Sequence, residues 1–432
     1  MENRYDKYKD SGIAWIGEIP EHWEVRKLGQ LYIPRNEKVS DKDYPALSVT
    51  MQGVLLQLEN VAKTNDGDNR KLVKIGDFAI NSRSDRRGSC GISKYDGSVS
   101  LINIVLTPIN DMNPIYYEWL FHSSLFSDEY YKWGHGIVND LWTTRWQEMK
   151  NIQIAAPTLQ EQQSIATYLD QKCSEIDELI TLQEEMITKL QSYKQSVITE
   201  AVTKGLDKNI PLKDSGIEWI GEIPEHWEVK RMKSIYNFGK GLNITKADLV
   251  DKGISVISYG QIHSKLNTGT YIKDSLIKYV PEIFLENNNA SLVKKGDIIF
   301  ADTSEDLEGC GNCIYIDRDM LLYAGYHTII AKNISTYINR YFSYLFQTDC
   351  WRSQIRKMVN GVKLFSIPQK LLSSTDIITP PLSEQQSIAT YLDQKCSEID
   401  ALISIKQQKI EKLKDYKKSL IFECVTGKRK VS

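Results

Sequence analysis

EQQSIATYLDQKCSEID runs from Glu161 to Asp177, and the same string returns unchanged from Glu384 to Asp400. Read downstream, apolar residues fall at Ile165, Leu169, Ile176, Leu179, Met186 and Leu190, in alternating steps of three and four with gaps at Lys172 and Gln183. The second copy supplies Ile388, Leu392, Ile399, Leu402 and Leu413. A 3.5-residue period is the seam of a coiled coil. About 42 residues at 1.5 Å each make a rod roughly 60 Å long. Gly205 and Pro211 end the first helix. Two such helices in one chain, separated by a globular stretch, pair most economically with each other and antiparallel. That arrangement sets the two globular parts at opposite ends about a pseudo-two-fold axis. It also makes Cys173 face the neighbourhood of Leu413 rather than Cys396.

A second repeat precedes each helix at a distance. Lys9 to Val25 reads KDSGIAWIGEIPEHWEV, and Lys213 to Val229 differs from it only in having Glu218 in place of Ala14. Gly and Pro punctuate its short apolar runs, so it reads as a loop-rich packing element. The chain therefore divides into a frame element (1–29), an insert (30–156) and a helix (157–205), then a second frame element (206–232), insert (233–379) and helix (380–428).

The inserts diverge, and both read as mixed α/β domains with a substantial sheet. Leu101 to Leu106, Ile254 to Ser258 and Asp297 to Phe300 have strand composition, and one aromatic-rich helix is expected in each insert, near Pro114 to Tyr131 and Tyr337 to Met358. A skeleton survives: the run Leu72 to Asp77 aligns with Leu292 to Asp297, and at the same offset Cys90 falls on Cys310. Between these points one copy has NSRSDRR (Asn81 to Arg87) and the other ADTSEDL (Ala301 to Leu307). One aligned position thus carries bases in one insert and acids in the other.

The composition is that of a globular chain, with 41% hydrophobic and 25% charged residues over 432 positions. The charged N-terminus does not resemble a signal peptide, and no run of about 18 apolar residues suggests a membrane span. Seven scattered cysteines fit a reducing cytoplasm. Cys310 and Cys313 form a lone CxxC, for which a packed or surface thiol, rather than a metal or redox site, is the expected reading. Pro380-Pro381 lacks the amide and aromatic neighbours of an adenine methyltransferase motif. No phosphate-cradling GxxxxGK[ST] occurs either, so the chain reads as non-catalytic.

A net charge of -2 does not mark a nucleic-acid binder, but the patches are uneven. Arg70 to Lys94 holds seven basic and two acidic residues, and Arg352 to Lys370 holds five basic and none acidic. Arginines beside small hydroxyls and aromatics suit phosphate and guanine contacts, and acids suit the cytosine amine. The DNA-binding candidates are Ser82, Arg83, Ser84, Arg86, Arg87 and Arg145 in the first insert, and Thr303, Ser304, Arg352, Arg356, Lys357 and Lys363 in the second. Opposite charge at one aligned loop fits two readers of different half-sites; it also fits one loop facing DNA while the other does not. With a net charge close to neutral, the chain alone should hold DNA weakly.

The doubled SG-x-x-WIGEIPEHWEV opening and the doubled P-x-L-x-EQQ-x-I helix start (Pro157 to Ile165, Pro380 to Ile388) resemble the specificity subunit of type I restriction-modification systems. The resemblance covers nearly the whole chain. It implies that each insert is a target recognition domain for one half of a split sequence in double-stranded DNA. It further implies that the helices act as a ruler and as a platform for two modification subunits, with restriction subunits joining them. S-adenosylmethionine, ATP and magnesium would then be used by those partners, in the cytoplasm, and none by this chain. The alternative reading from the residues is a coiled-coil scaffold carrying two protein-binding domains.

Overall fold

The computed structural model describes residues 4–57, 67–109, 112–136, 142–286, 288–361 and 363–431. The chain forms two compact units, Met1–Glu185 with Lys406–Ser432, and Met186–Ile405. Each unit thus joins a frame element and an insert to the start of the following long helix and to the end of the other one.

In the first unit the frame folds into the hairpin Tyr8–Asp10 and Glu18–Pro20, and strand Glu24–Lys27 then pairs with Gln153–Ala156, which leads into the long helix. The insert carries a four-stranded antiparallel sheet in the order Cys90–Ile92, Phe78–Asn81, Asn103–Pro108, Tyr32–Pro34. A smaller sheet and the hairpin Leu47–Thr50 with Gly53–Leu56 flank it. The second unit repeats this plan: Leu212–Asp214 pairs with Glu222–Pro224, Glu228–Arg231 with Asp376–Thr379. Its main sheet runs Cys313–Tyr315, Ile298–Ala301, Thr328–Asn333, Tyr236–Lys240, the same order of equivalent strands.

Two expectations for the inserts need correction. Each aromatic-rich helical stretch is a pair of short helices, Pro114–His122 with Ser124–Lys132, and Asn339–Leu345 with Asp349–Met358. The breaks sit at Ser123 and Thr348, whose hydroxyls accept from the backbone N–H groups of Phe126 and Trp351 and start a new helix. The structural counterpart of Cys90 is Cys313, not Cys310: Cys90 pairs with Ile80, and Cys313 with Phe300 at the matching place. The second hairpin simply has a longer turn.

The shared LVK-x-GD skeleton is a turn. Asp77 and Asp297 accept from the backbone N–H of Lys74 and Lys294, at 2.9 and 3.0 Å, and Gly76 and Gly296 take the left-handed φ of +87° and +98° that the turn requires.

The identical motifs bind each other. Glu161 accepts from His22 and Trp23 at 2.9 and 3.1 Å, and Glu384 accepts from His226 and Trp227 at 2.6 and 2.9 Å. Burial raises the Glu161 carboxyl, but the bonds from His22, Trp23 and Thr158 outweigh it and leave its pKa below the usual carboxylate range. Gln162 and Gln385, both buried, accept from the backbone N–H of Asn113 and Ile338 and so tie each helix start to its insert. The buried Trp23 and Trp227 also abut Gly427 and Gly205, which end the long helices at φ +73° and +78°. The hydroxyls of Tyr116 and Tyr341 donate to the helix-end carbonyls of Val425 and Val202.

The long helices are Leu159–Lys204 and Leu382–Val425, 46 and 44 residues. Within each unit they run antiparallel. Lys417 meets Asp177 at 2.6 Å in the first unit, and Lys194 meets Asp400 at 2.7 Å in the second. These are exchanged copies of one pair, since Asp177 and Asp400 share a repeat position and so do Lys194 and Lys417.

The seam departs from the expected one in its middle. Ile165, Leu169, Ile176, Ile388, Leu392 and Ile399 are buried as expected, Leu190 is half-buried, and Leu413 packs at the core's edge. Leu179, Met186 and Leu402, however, are 43%, 43% and 48% exposed. The contact line instead passes through Cys173, Ile180 and the buried Gln183, to which Lys406 donates at 3.4 Å. Apolar counting skips a Gln–Lys layer, although one polar layer in an otherwise apolar seam is a way to fix register. Cys173 belongs to the same core cluster as Leu420, Ile421 and Cys424, with Leu413 packed at its edge, while Cys396 lies in the core of the second unit.

Candidate nucleic-acid interface

The loop after strand Phe78–Asn81 is laced to the stretch following the short helices. Ser84 N–H donates to Trp142 O at 2.9 Å, Thr144 N–H to Ser82 O at 3.0 Å, and Arg83 and His135 each bridge to Thr143. The segment Arg83–Arg87 is therefore held beside the segment Trp142–Arg145. Arg83 pairs with Asp85 at 3.0 Å, Arg87 with Asp128 at 3.3 Å while lying over the Tyr131 ring, and Arg86 is the most exposed of the three. Arg145 is exposed. Ser82 is not available for DNA: it is buried and its hydroxyl donates to Ile102 O at 2.6 Å. Arg86 and Arg87 stand at a groove of about 630 Å³ whose other wall is the hairpin Leu47–Thr50 and Gly53–Leu56, with Met51, Leu55 and Leu56 exposed on it.

The second insert has its counterpart at the same sheet end. Thr303–Ser304 pairs with Phe365–Ser366, and Ile367 N–H donates to Asp302 O at 2.7 Å. A cleft of about 860 Å³ opens beside it, lined by Tyr259, His263, Glu305, Asp306, Asn312 and Arg356 among others. A relay runs along its wall: Arg352 donates to Asn312 at 2.7 Å, Asn312 Nδ2 faces His263 Nδ1 at 3.1 Å, and His263 Nε2 faces Thr303 O at 2.8 Å. This order requires the neutral His263 tautomer carrying its proton on Nε2.

Several second-insert candidates serve structure. Ser304 is buried and donates to Asp306 O. Arg352 is spent on Phe346 O, Asn312 and Gln347, and burial lowers its pKa. Arg356 holds Leu307 O, Glu308 O and Asp349. Lys357 points elsewhere, to Glu218 of the frame at 2.7 Å, so the one frame difference from Ala14 is matched by a contact to this insert. Thr303 is half-buried and donates to Asp302. Lys363 is exposed next to Phe365–Ser366. Glu305, one of the loop acids suited to the cytosine amine, and Lys265, which the sequence did not single out, line the cleft with no hydrogen bond or ion pair among the described residues.

Cys310 and Cys313 are buried; burial raises both thiols, Cys313 to about 11. Among the described residues no cluster of three His, Cys, Asp or Glu could hold a metal ion, and no helix is long and apolar enough to cross a membrane.

The family model for the type I restriction modification DNA specificity domain matches the chain twice, at residues 20–191 and 224–415. The chain belongs to this family. Each match spans a frame strand, an insert and most of a long helix, the unit that the repeats delimit. The type I restriction enzyme MjaVIII specificity subunit of Methanocaldococcus jannaschii is 26% identical over 428 residues, covering 96% of this chain and 94% of the relative. The putative MjaX specificity subunit of the same organism is 26% identical over 437 residues, covering 96% of each. Among solved structures, a chain from a study of complex assembly and conformational transition in the type I R-M system superposes with TM-score 0.71 at 13% identity, over 94% of this chain and 98% of that one. The HsdS subunit of Thermoanaerobacter tengcongensis gives 0.54 at 15% identity, over 95% and 98%. As a specificity-family member the chain has DNA recognition as its role, and it carries the specificity domain twice.

Proposed function

We propose that each insert reads one half of a bipartite DNA target, that the long helices set the spacer between the halves, and that they dock two modification subunits. Those partners supply S-adenosylmethionine and methylate adenine at N6. Restriction subunits, using ATP and magnesium, complete a nuclease, and the complex works in the cytoplasm. One observation carries this reading. The residues identical in the two copies are consumed in holding frame to helix, as with Glu161 on His22 and Trp23, while the copies diverge at the two grooves beside the aligned loops. Divergence of the inserts, open grooves included, on one fixed frame is what two readers of different sequences require. Exposed Leu179, Leu182, Met186, Leu402 and Ile405 on the long helices supply apolar surface of the kind protein docking uses.

Co-expression with a type I modification subunit followed by methylome sequencing tests the reading. The expected result is N6-methyladenine at a two-part motif with a fixed gap; absence of any modified motif, with the methyltransferase active, would favour a protein scaffold.

A further inference from the structure

Among the described residues, His327 is the one non-glycine residue with a left-handed φ, +54°. That conformation is a backbone cost which the surroundings must hold in place, and residues of this kind gather where a side chain has a task. His327 immediately precedes strand Thr328–Asn333, at the sheet end where Thr328 pairs with Ala301 and Asp302 opens the acidic loop. Asp302 N–H donates to His327 O at 3.1 Å, and His327 Nδ1 lies 3.2 Å from Asp302 Oδ1. The rings of Tyr259 and Tyr326 meet the imidazole edge-on, with centroids 5.4 and 6.1 Å away. Tyr259 is itself a wall of the 860 Å³ cleft, so the imidazole stands at the cleft's rim. Although held on three sides, the His327 side chain is 58% exposed, and its Nε2 has no hydrogen bond among the described residues.

The first insert shows that the shared fold does not demand this arrangement. Asn103 pairs with Asn81 where Thr328 pairs with Ala301, so Ile102 and Ser82 occupy the places of His327 and Asp302. Ile102 lines the first insert's groove without a left-handed φ, and the Ser82 hydroxyl is turned onto Ile102 O. The imidazole, its carboxylate and the strained backbone therefore belong to the second insert alone, at positions where the two copies disagree.

The contact with Asp302 assigns the proton. A carboxylate only accepts, so Nδ1 carries the hydrogen and Nε2 of the neutral ring keeps its lone pair. Resting on the DNA-reading role, we infer that His327 Nε2 is a specificity-determining acceptor for an amino-bearing base, adenine or cytosine, in the half-site read by the second insert. Asp302 is the residue that positions it. In the major groove adenine N6 and cytosine N4 present donors, whereas guanine O6 and thymine O4 present acceptors that face Nε2 unfavourably.

The test uses the full chain in complex with its modification subunits, and a duplex library randomised across both half-sites. Wild type should prefer adenine or cytosine at one position of one half by about tenfold or more. His327→Gly, which accepts the left-handed φ, should flatten that position and leave the rest of that half, and the whole other half, unchanged. Asp302→Ala keeps the imidazole but frees its proton to move to Nε2. It should narrow the same preference, and it is the variant read wherever His327→Gly lowers the unfolding temperature. Replacing the chosen base by its analogue without the amine, purine for adenine or 2-pyrimidinone for cytosine, should weaken wild type about as much as His327→Gly does, and should weaken His327→Gly no further. An unchanged preference in both variants, a keto base preferred at the His327-dependent position, or an amine whose loss costs wild type and His327→Gly equally would overturn the proposal. A wild-type complex with no two-part preference would instead overturn the DNA-reading role itself.

Discussion

Replacing Trp227 by alanine is expected to destabilise the second unit by about 3–5 kcal/mol, the range for a fully buried tryptophan. In a unit of this size that lowers its unfolding midpoint by roughly 6–20 °C, measurable by calorimetry. The size follows from three roles carried by one side chain. The indole is 0% exposed, its Nε1 donates to Glu384 at 2.9 Å, and its ring lies against Gly205, 3.2 Å from where a Cβ would be. Removing it opens a cavity at the junction of frame, helix start and helix end, and leaves a carboxylate short of a donor. Trp227→Phe retains most of the ring and should cost only about 1–3 kcal/mol, the share of the lost hydrogen bond. Trp23→Ala should act equivalently on the first unit, through Glu161 and Gly427. A Trp227→Ala midpoint shift below about 2 °C would contradict the view that the identical motifs form a structural clamp.

Inserting seven residues into both long helices, at Gln183 and Lys406, should lengthen the spacer of the recognised sequence by about three base pairs. Seven residues keep the phase of the 3.5-residue seam, so the charge pairs Asp177–Lys417 and Asp400–Lys194 can both re-form on either side of the insertion. The added helix is about 10.5 Å long at 1.5 Å per residue, against 3.4 Å per base pair. A four-residue insertion puts the seam out of phase and should instead impair folding. Methylome sequencing of cells carrying the seven-residue variant reads the gap directly. Both half-sites retained with three extra base pairs between them is the expected outcome, and an unchanged gap would mean that the helices do not set it.

Much of this architecture was legible because it is written twice. The frame, the long helices and the strand-rich inserts follow from repeats and periodicity, which report local structure. What escaped was set by side-chain partners distant in sequence. Ser123 and Thr348 read as ordinary helix surface until their hydroxyls are seen capping a new helix. The seam crosses from Leu179 to Ile180 because Gln183 and Lys406 form a polar layer that apolar counting discards. Basic residues of the second insert looked free in sequence, yet Arg352 and Arg356 are occupied by backbone carbonyls. Ser82 and Ser304 were sound as loop residues and wrong as contacts, because a small hydroxyl in a tight loop is taken by the nearest carbonyl.

The central claim is a division of labour between a fixed clamp and two variable readers. Its most direct test is to exchange residues 30–156 for the corresponding insert of another specificity subunit and to determine the methylated motif. The account predicts that one half of the motif changes to that of the donor while the other half and the gap stay as they were; a change in both halves, or in neither, would contradict it.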